Sequence, residues 1–217
     1  MSERHQPAWL RWVLAFAVLV AVALLASAAT LFLVSRDMSE STSPDAVDIG
    51  FSQDMSTHHL QAVEMANVAR ERSRDPLIRQ LGFDIETGQL EQVGRMKGWL
   101  SMWNQPPIPA GTPMGWMGTS GGHAAHGQRM TMPGMASDQD LDRLRSLSGV
   151  EFDKFFLQLM IRHHQGGAAM AAEAAERATL PPVRNLAQQI LRAQRAETET
   201  MTRLLVDRGG HLLPAHN

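Results

Sequence analysis

The stretch MSTHHLQAVEMA at residues 55–66 sets two adjacent histidines between two methionines, and MIRHHQGGAAMA at residues 160–171 repeats the arrangement. The offset of 105 residues between the two copies also links matching residues outside them. These pairs are Phe51 with Phe156, Pro76 with Pro181, Arg79 with Arg184, Leu81 with Leu186, Ile85 with Ile190, Gln89 with Gln194, Met96 with Met201 and Leu100 with Leu205. One offset that holds over this length indicates a duplicated unit.

Each unit has the pattern of a helical hairpin. In the first unit, Ser43-Pro44-Asp45 predicts an N-cap followed by proline at the first helical position, and Asp75-Pro76 predicts a second helix start. In the second unit the break is expected at residues 179–182, and Gly209-Gly210 is expected to end the last helix.

The predicted fold class follows from these helices. Each carries an apolar stripe at near-helical spacing that it cannot bury alone, and the sequence lacks the alternating β-branched residues of strands. An antiparallel bundle buries four such stripes. We therefore predict an all-α protein whose folded part is a four-helix bundle built from two repeated helical hairpins.

Composition divides the chain into segments. They are an N-terminal segment 1–11, a membrane segment 12–34, a linker 35–44, a bundle 45–210 and a tail 211–217, with the bundle made of repeat one at 45–103, a crossover at 104–136 and repeat two at 137–210. The crossover is rich in proline and glycine, which predicts irregular structure. Ser137, followed by Asp138 and Asp140, predicts the cap of a short helix.

Residues 12–34 form an uncharged apolar run, longer than the roughly 20 residues that span a bilayer as a helix. Arg4 and Arg11 precede the run and acidic residues follow it, so the N-terminus is expected in the cytoplasm and the rest outside. A cleaved signal peptide is the alternative, because Ala26-Ser27-Ala28 offers a small-residue cleavage site. The apolar run continues past that site, which favours an uncleaved, single-pass anchor in the cell membrane.

The composition restricts the partners and the chemistry. Lysine plus arginine number 20 against 22 acidic residues, so no basic field is available for nucleic acid and we expect no such partner. The chain has no cysteine, which excludes disulfides, iron–sulfur clusters and thiolate metal sites. With 14 methionines and 9 histidines, imidazole, thioether and carboxylate remain as metal ligands.

The paired-histidine motifs are the candidate metal site. At about 100° per residue, Met55, His58 and Met65 lie within an arc of about 80° on one helix face, with His59 beside it. The second copy places Met160, His163, His164 and Met170 in the same way. Imidazole combined with soft sulfur favours copper, as Cu(I) or Cu(II), over zinc. In the alternative interpretation, the methionines fill core gaps and the histidines are hydrogen-bonded core residues.

The crossover adds a looser set of candidate ligands. They are Met114, Met117, His123, His126, Met130, Met132 and Met135. A flexible loop with such residues can capture soft ions with little geometric demand. A linker whose ligands never act together is the alternative, and His211 and His216 are treated as tail residues.

The sequence lacks catalytic motifs. A di-iron site in a bundle uses Glu-x-x-His pairs, and no glutamate stands three residues before any histidine of the two pairs. GTSGGHAAHG at residues 118–127 lacks the lysine of a phosphate-binding loop. We therefore expect no enzyme, and a metal-dependent oxidoreductase is the weakest hypothesis.

Several longer stretches carry a family resemblance. They are FSQDMSTHHLQAVEMA at 51–66, IRQLGFDIETGQLEQVGRMKGWL at 78–100, MPGMASDQDLDRLRSLSGVE at 132–151, FDKFFLQLMIRHHQGGAAMA at 152–171 and RNLAQQILRAQRAETETMTRLL at 184–205. Together they resemble the domain-of-unknown-function 305 family of exported bacterial proteins. The resemblance covers roughly residues 46–207.

The resemblance implies a ferritin-like four-helix bundle outside the cytoplasm, in a family with copper-binding members associated with copper tolerance. The family's ligand positions fall on the two paired-histidine motifs. Gly166-Gly167 indicates close approach of a neighbouring helix. We expect a membrane-anchored protein that sequesters or transfers copper, with self-association and an unidentified metal donor or acceptor protein as partners. A non-metal interaction module with core histidines is the alternative.

Overall fold

A computed structural model describes residues 8–40, 43–117 and 132–213 of the chain. The helices in these ranges are α1 (Ala8–Glu40), α2 (Ala46–Arg72), α3 (Pro76–Met102), α4 (Asp138–Ser146), α5 (Gly149–Arg177) and α6 (Pro181–Asp207). No strand occurs in the described residues, and the prediction of an all-α fold is confirmed. Helix α1 belongs to one compact unit, and the residues from Pro44 onward form another.

In its described residues, the N-terminal compact unit consists of the apolar helix α1. From Trp12 to Phe32 its 21 residues are long and apolar enough to cross a membrane, because at about 1.5 Å per residue they match the roughly 30 Å of a bilayer core. The helix continues to Glu40, beyond the predicted end of the apolar segment at Val34. A membrane anchor and a signal sequence both meet this description.

Capping residues set the starts of the first hairpin's helices. Asp45 caps α2, and its side chain accepts hydrogen bonds from two backbone N–H groups of the first turn. The prediction of a cap at Ser43 with Pro44 at the first helical position is therefore wrong, because the carboxylate of Asp45 satisfies these donors and Pro44 precedes the cap. Asp75 caps α3 with Pro76 at its start, as predicted.

Local residues also set the start of α4, the start of α5 and the end of α6. Ser137 and Asp140 cap α4 by exchanging side-chain to backbone hydrogen bonds, each 3.1 Å long. Gly149 opens α5 with φ 60° and Gly209 follows α6 with φ 67°, conformations that glycine adopts at little cost. Helix α6 begins and ends 105 residues after α3.

The four long helices that follow Pro44 pack as two antiparallel hairpins, α2 with α3 and α5 with α6, which meet through α2 and α5. Two separate apolar cores hold them together. One core contains Met65 from the C-terminal half of α2 and Met160 from the N-terminal half of α5. The other contains Met55 and Met170 from the opposite halves. Helices α2 and α5 are therefore antiparallel, and the paired histidines lie between the two cores.

The described ends of the crossover lie against α2. Asp54 Oδ2 accepts hydrogen bonds from Met114 N at 2.7 Å and from Trp116 Nε1 at 2.9 Å. Gln61 exchanges two hydrogen bonds with the backbone of Ala136, at 2.9 and 2.7 Å. Residues 105–117 and 132–137 contain no helix or strand, so the prediction of irregular structure is confirmed for these residues.

Candidate metal centre

Two histidines meet where α2 contacts α5. The ring centroids of His58 and His163 are 3.8 Å apart, with an angle of 36° between the rings. Both side chains are completely buried. The two residues are 105 positions apart, so the contact joins equivalent positions of the two hairpins.

The second histidine of each pair contacts the other helix of its own hairpin. His59 Nε2 lies 2.7 Å from Gln92 Oε1 on α3, and His164 Nε2 lies 2.6 Å from Glu197 Oε2 on α6. Both rings are completely buried. Each hairpin therefore builds the same contact, with an amide in one and a carboxylate in the other.

Hydrogen bonds assign the ring proton in three of the four histidines. The carbonyl oxygen of Pro133 accepts from His58 Nε2 at 3.0 Å, and the oxygens of Gln92 and Glu197 accept from their own histidines. An acceptor oxygen requires an N–H group, so Nε2 carries a proton, and in the neutral ring Nδ1 keeps its lone pair. Within the described residues, these three Nδ1 atoms have no partner, and His163 has none at either nitrogen.

Burial keeps His58, His59 and His163 neutral. Removal from water lowers the pKa of His58 to about 4 and that of His59 to about 3, and it lowers the pKa of His163 well below 6.5. The neighbouring imidazoles add to the effect, because a charge on one ring would repel a charge on the next. Near neutral pH these rings are therefore uncharged and can donate lone pairs to a metal ion.

Two glutamines extend this region. Gln89 on α3 and Gln194 on α6 are buried, and neither amide has a partner within the described residues. Together with Gln92 and Glu197 they line a cavity of about 20 Å³ between α3 and α6, which is room for about one water molecule. We call the four histidines and these two buried glutamines, Gln89 and Gln194, the polar layer.

Two glycines make the polar layer possible. A Cβ atom on Gly166 would lie 2.0 Å from the oxygen of Pro133, and one on Gly167 would lie 2.6 Å from Gln194 Oε1 and 3.0 Å from His58 Cε1. The predicted close approach of a helix is found at Gly167, where the side chains of α6 and α2 lie close, whereas the neighbour of Gly166 is the end of the crossover and not a helix.

The four motif methionines are buried but do not surround one point. Met55 and Met65 lie ten residues apart on α2, about 15 Å along the helix axis, and they belong to different cores. Met55 shares its core with Met170, and Met65 shares the other with Met160. Thioether sulfur is therefore available on both sides of the polar layer, rather than converging from one helix face as the spacing suggested.

Most described methionines of the crossover pack as apolar residues. Met114 is buried in the second core, and Met117 and Met132 pack against it. Met135 is partly buried. His123, His126 and Met130 lie outside the described residues. In the described part, the crossover reaches the polar layer through the backbone of Pro133.

The donor types fit a soft metal ion, although the ligand geometry is incomplete. No group of three His, Asp or Glu side chains in the described residues could hold an ion. Unpartnered imidazole nitrogens between methionine-containing cores, in a chain without cysteine, match the ligands that copper prefers. A bound ion would therefore need sulfur ligands or a small movement of the stacked rings.

The sequence did not predict the partners of His59 and His164 on α3 and α6. Gln92 and Glu197 are related by the same offset of 105 residues, and each lies 33 residues after its histidine. They are not among the identical residues at that offset because they differ by an amide and a carboxylate.

The chain is similar to proteins of one helical family. The family model described as domain of unknown function (DUF305) matches residues 48–205. A candidate secreted DUF305 protein from Streptomyces coelicolor is 39% identical, with a TM-score of 0.71 and coverage of 78% of this chain and 98% of that chain. A DUF305 fragment from Deinococcus radiodurans is 35% identical, with a TM-score of 0.61 and coverage of 76% and 99%.

Metal-bound structures are also among the similar proteins. CopM in its Cu(I)-bound form is 27% identical, with a TM-score of 0.58 and coverage of 75% of this chain and 98% of that chain. CopM also has structures with Cu(II), with silver and in the apo form. No protein of curated function matches the chain.

Proposed function

Since the chain belongs to the DUF305 family, which includes copper-bound CopM, we propose that it binds copper in the polar layer and sequesters the ion or passes it on. The observation that carries the proposal is a set of five completely buried ring nitrogens without a partner in the described residues. Folded proteins leave few such groups unsatisfied, and a bound ion would satisfy several of them.

The chemistry of the layer supports copper as the cargo. Three of the four rings have a buried Nδ1 without a partner in the described residues, and buried thioethers lie on both sides. Imidazole binds Cu(I) and Cu(II), and thioether sulfur favours Cu(I). We propose storage or transfer rather than catalysis, because the four rings are completely buried and leave a substrate no access to an ion held among them.

We also propose that α1 anchors the protein, with the copper-binding unit outside the cytoplasm. The length and apolar character of the segment from Trp12 to Phe32 support this proposal, as do the basic residues before it and the acidic residues after it. An extracytoplasmic position would also fit a site built without cysteine, since His and Met ligands do not form disulfides.

A Cu(I) titration tests the proposal. Full-length protein in detergent micelles would compete with a chromophoric Cu(I) chelator, beside a variant with His58, His59, His163 and His164 all changed to alanine. His211→Ala is the matched control, because this histidine is exposed and lies outside the polar layer. We expect the wild type and His211→Ala to remove Cu(I) from the chelator and the fourfold variant to fail, with circular dichroism showing that the variant remains helical.

Two results would contradict the proposal. Binding that survives in the fourfold variant would move the site to the crossover methionines and histidines. Absence of binding by the wild type would favour a non-metal module with core histidines. The tight stacking of His58 on His163 is the observation that favours this second candidate, and it predicts that the same substitutions lower the melting temperature equally with and without copper.

A further inference from the structure

His59 and His164, one in each half of the polar layer, have hydrogen-bond partners that match in geometry but differ in charge. His59 and His164 each place Nε2 within 2.7 Å of a side-chain oxygen on the other helix of their hairpin. The oxygen belongs to a neutral amide at Gln92 and to a carboxylate at Glu197. Within the described residues, neither histidine has a partner at Nδ1.

The second hydrogen bond of a histidine influences how it binds metal. A carboxylate that accepts the Nε2 proton fixes the ring orientation and raises the basicity of the opposite nitrogen. An amide oxygen fixes the ring in the same way but adds no formal charge. Gln92 and Glu197 should therefore position their histidines equally well while giving them unequal donor strength.

The charge of Glu197 also acts on the ion directly. Its side chain is 33% exposed, and the ion pairs of the described residues give it no arginine or lysine partner. Coulomb energy scales with the charge of the ion, so one negative group stabilises a divalent ion more than a monovalent ion at the same distance. At the equivalent position of the other hairpin, the amide of Gln92 carries no formal charge.

We propose that Glu197 makes the His164 half of the polar layer selective for divalent copper, whereas Gln92 leaves the His59 half suited to the monovalent ion. The inference rests on the proposed copper-binding function. It assigns Glu197 and Gln92 as positioning residues that act through their histidines, and it makes the two halves of a duplicated unit chemically distinct.

Reciprocal substitutions test the assignment. Glu197→Gln and Gln92→Glu are nearly isosteric, and each residue already occupies the equivalent position in the other hairpin. Glu199→Gln is the matched control, since Glu199 is an exposed carboxylate on the same helix. Full-length proteins in detergent would be titrated with Cu(II) and, separately, with Ag(I) as a monovalent ion that does not change oxidation state, and electron paramagnetic resonance would report nitrogen ligands on Cu(II).

We expect Glu197→Gln to weaken Cu(II) binding by about 10- to 100-fold, the usual effect of losing such a partner, with a much smaller change for Ag(I). Gln92→Glu should strengthen Cu(II) binding and add a second nitrogen-coordinated Cu(II) signal. Equal changes for both ions, or no change in either variant, would overturn the assignment while leaving copper binding intact. A wild type that binds neither ion would overturn the proposed function as well.

Discussion

His58 and His163 stack with their ring centroids 3.8 Å apart at the point where α2 contacts α5. Both rings are completely buried, and His163 has no hydrogen-bond partner in the described residues. Two neutral imidazoles can occupy this space, but two imidazolium ions would repel each other there. Folding of the metal-free protein is therefore tied to the neutral state of these two rings.

The first prediction concerns pH. In the unfolded chain these histidines bind protons below about pH 6.5, whereas in the folded protein burial lowers the pKa of His58 to about 4 and that of His59 to about 3. Between these values the unfolded state binds more protons, so the free energy of unfolding should decrease as pH falls from 6.5 towards 4. Each such group contributes up to about 1.4 kcal/mol per pH unit.

Urea denaturation with a chelator present, at several pH values between about 7.5 and 5, measures this slope. Burial raises the pKa of Asp54 from 3.8, which acts in the opposite direction at the acid end. The comparison is therefore best made above about pH 5. A His58→Gln variant should show a shallower slope, and a flat profile in the wild type would contradict the prediction.

Much of the fold was predictable because its signals are local. Asp75-Pro76, Ser137 with Asp140, and Gly209 mark helix ends through hydrogen bonds and backbone conformations that involve neighbouring residues. The family resemblance is also confirmed, since the family model covers residues 48–205. The prediction placed the cap of α2 two residues too early, at Ser43 instead of Asp45, because serine and aspartate are both favourable cap residues. Which of the two caps the helix depends on how the chain enters α2.

The candidate site was less predictable because it depends on packing. Helical periodicity places Met55 and Met65 on one face, but it does not show that the two cores separate them along the axis. The contacts of His59 with Gln92 and of His164 with Glu197 join residues 33 positions apart. Their pairing is set by the register of each hairpin, which the spacing within a single helix does not specify.

The second prediction concerns the attachment of the crossover. Asp54 is 2% exposed and accepts hydrogen bonds from the backbone of Met114 and the indole of Trp116. Asp54→Ala would leave both donors buried without a partner, which should lower the free energy of unfolding by about 1–3 kcal/mol. Asp54→Asn keeps an acceptor oxygen and should lose less.

Hydrogen exchange at the amide of Met114 reports the same contact. The amide should exchange faster in Asp54→Ala than in Asp54→Asn or in the wild type, because it loses its acceptor. Equal protection in all three proteins would show that packing of Trp116 holds this segment without the carboxylate.

The third prediction concerns α1. A helix that is uncharged and apolar from Trp12 to Phe32 should hold the protein in membranes through burial of its side chains, so washing with high salt or alkaline carbonate should not release it. Deletion of residues 1–40 should release the protein into the soluble fraction. A mature chain that begins after Ala28 would contradict anchoring and identify the helix as a signal sequence, and N-terminal sequencing of the exported protein distinguishes the two.

The fourth prediction concerns Gly166, where helix propensity and packing oppose each other. Alanine is favoured over glycine inside a helix by about 0.5–1 kcal/mol, yet a Cβ here would lie 2.0 Å from the carbonyl oxygen of Pro133. The neighbouring loop residue, Gly134, already lies so close to α5 that its own Cβ would be 2.4 Å from the carbonyl oxygen of Arg162. The loop can therefore relieve the clash only by moving away from the helix, which would break the hydrogen bond between Pro133 and His58.

Gly166→Ala should therefore lower the free energy of unfolding by about 1–3 kcal/mol, the usual cost of overpacking, and weaken Cu(I) binding by releasing the ring of His58. Gly94→Ala is the matched control, because Gly94 lies on α3 and a Cβ added there would meet no described atom within 4 Å. It should raise stability by about 0.5–1 kcal/mol. Urea denaturation and the Cu(I) competition titration measure both effects. Equal stabilisation by the two alanines would show that the crossover does not pack tightly against the polar layer.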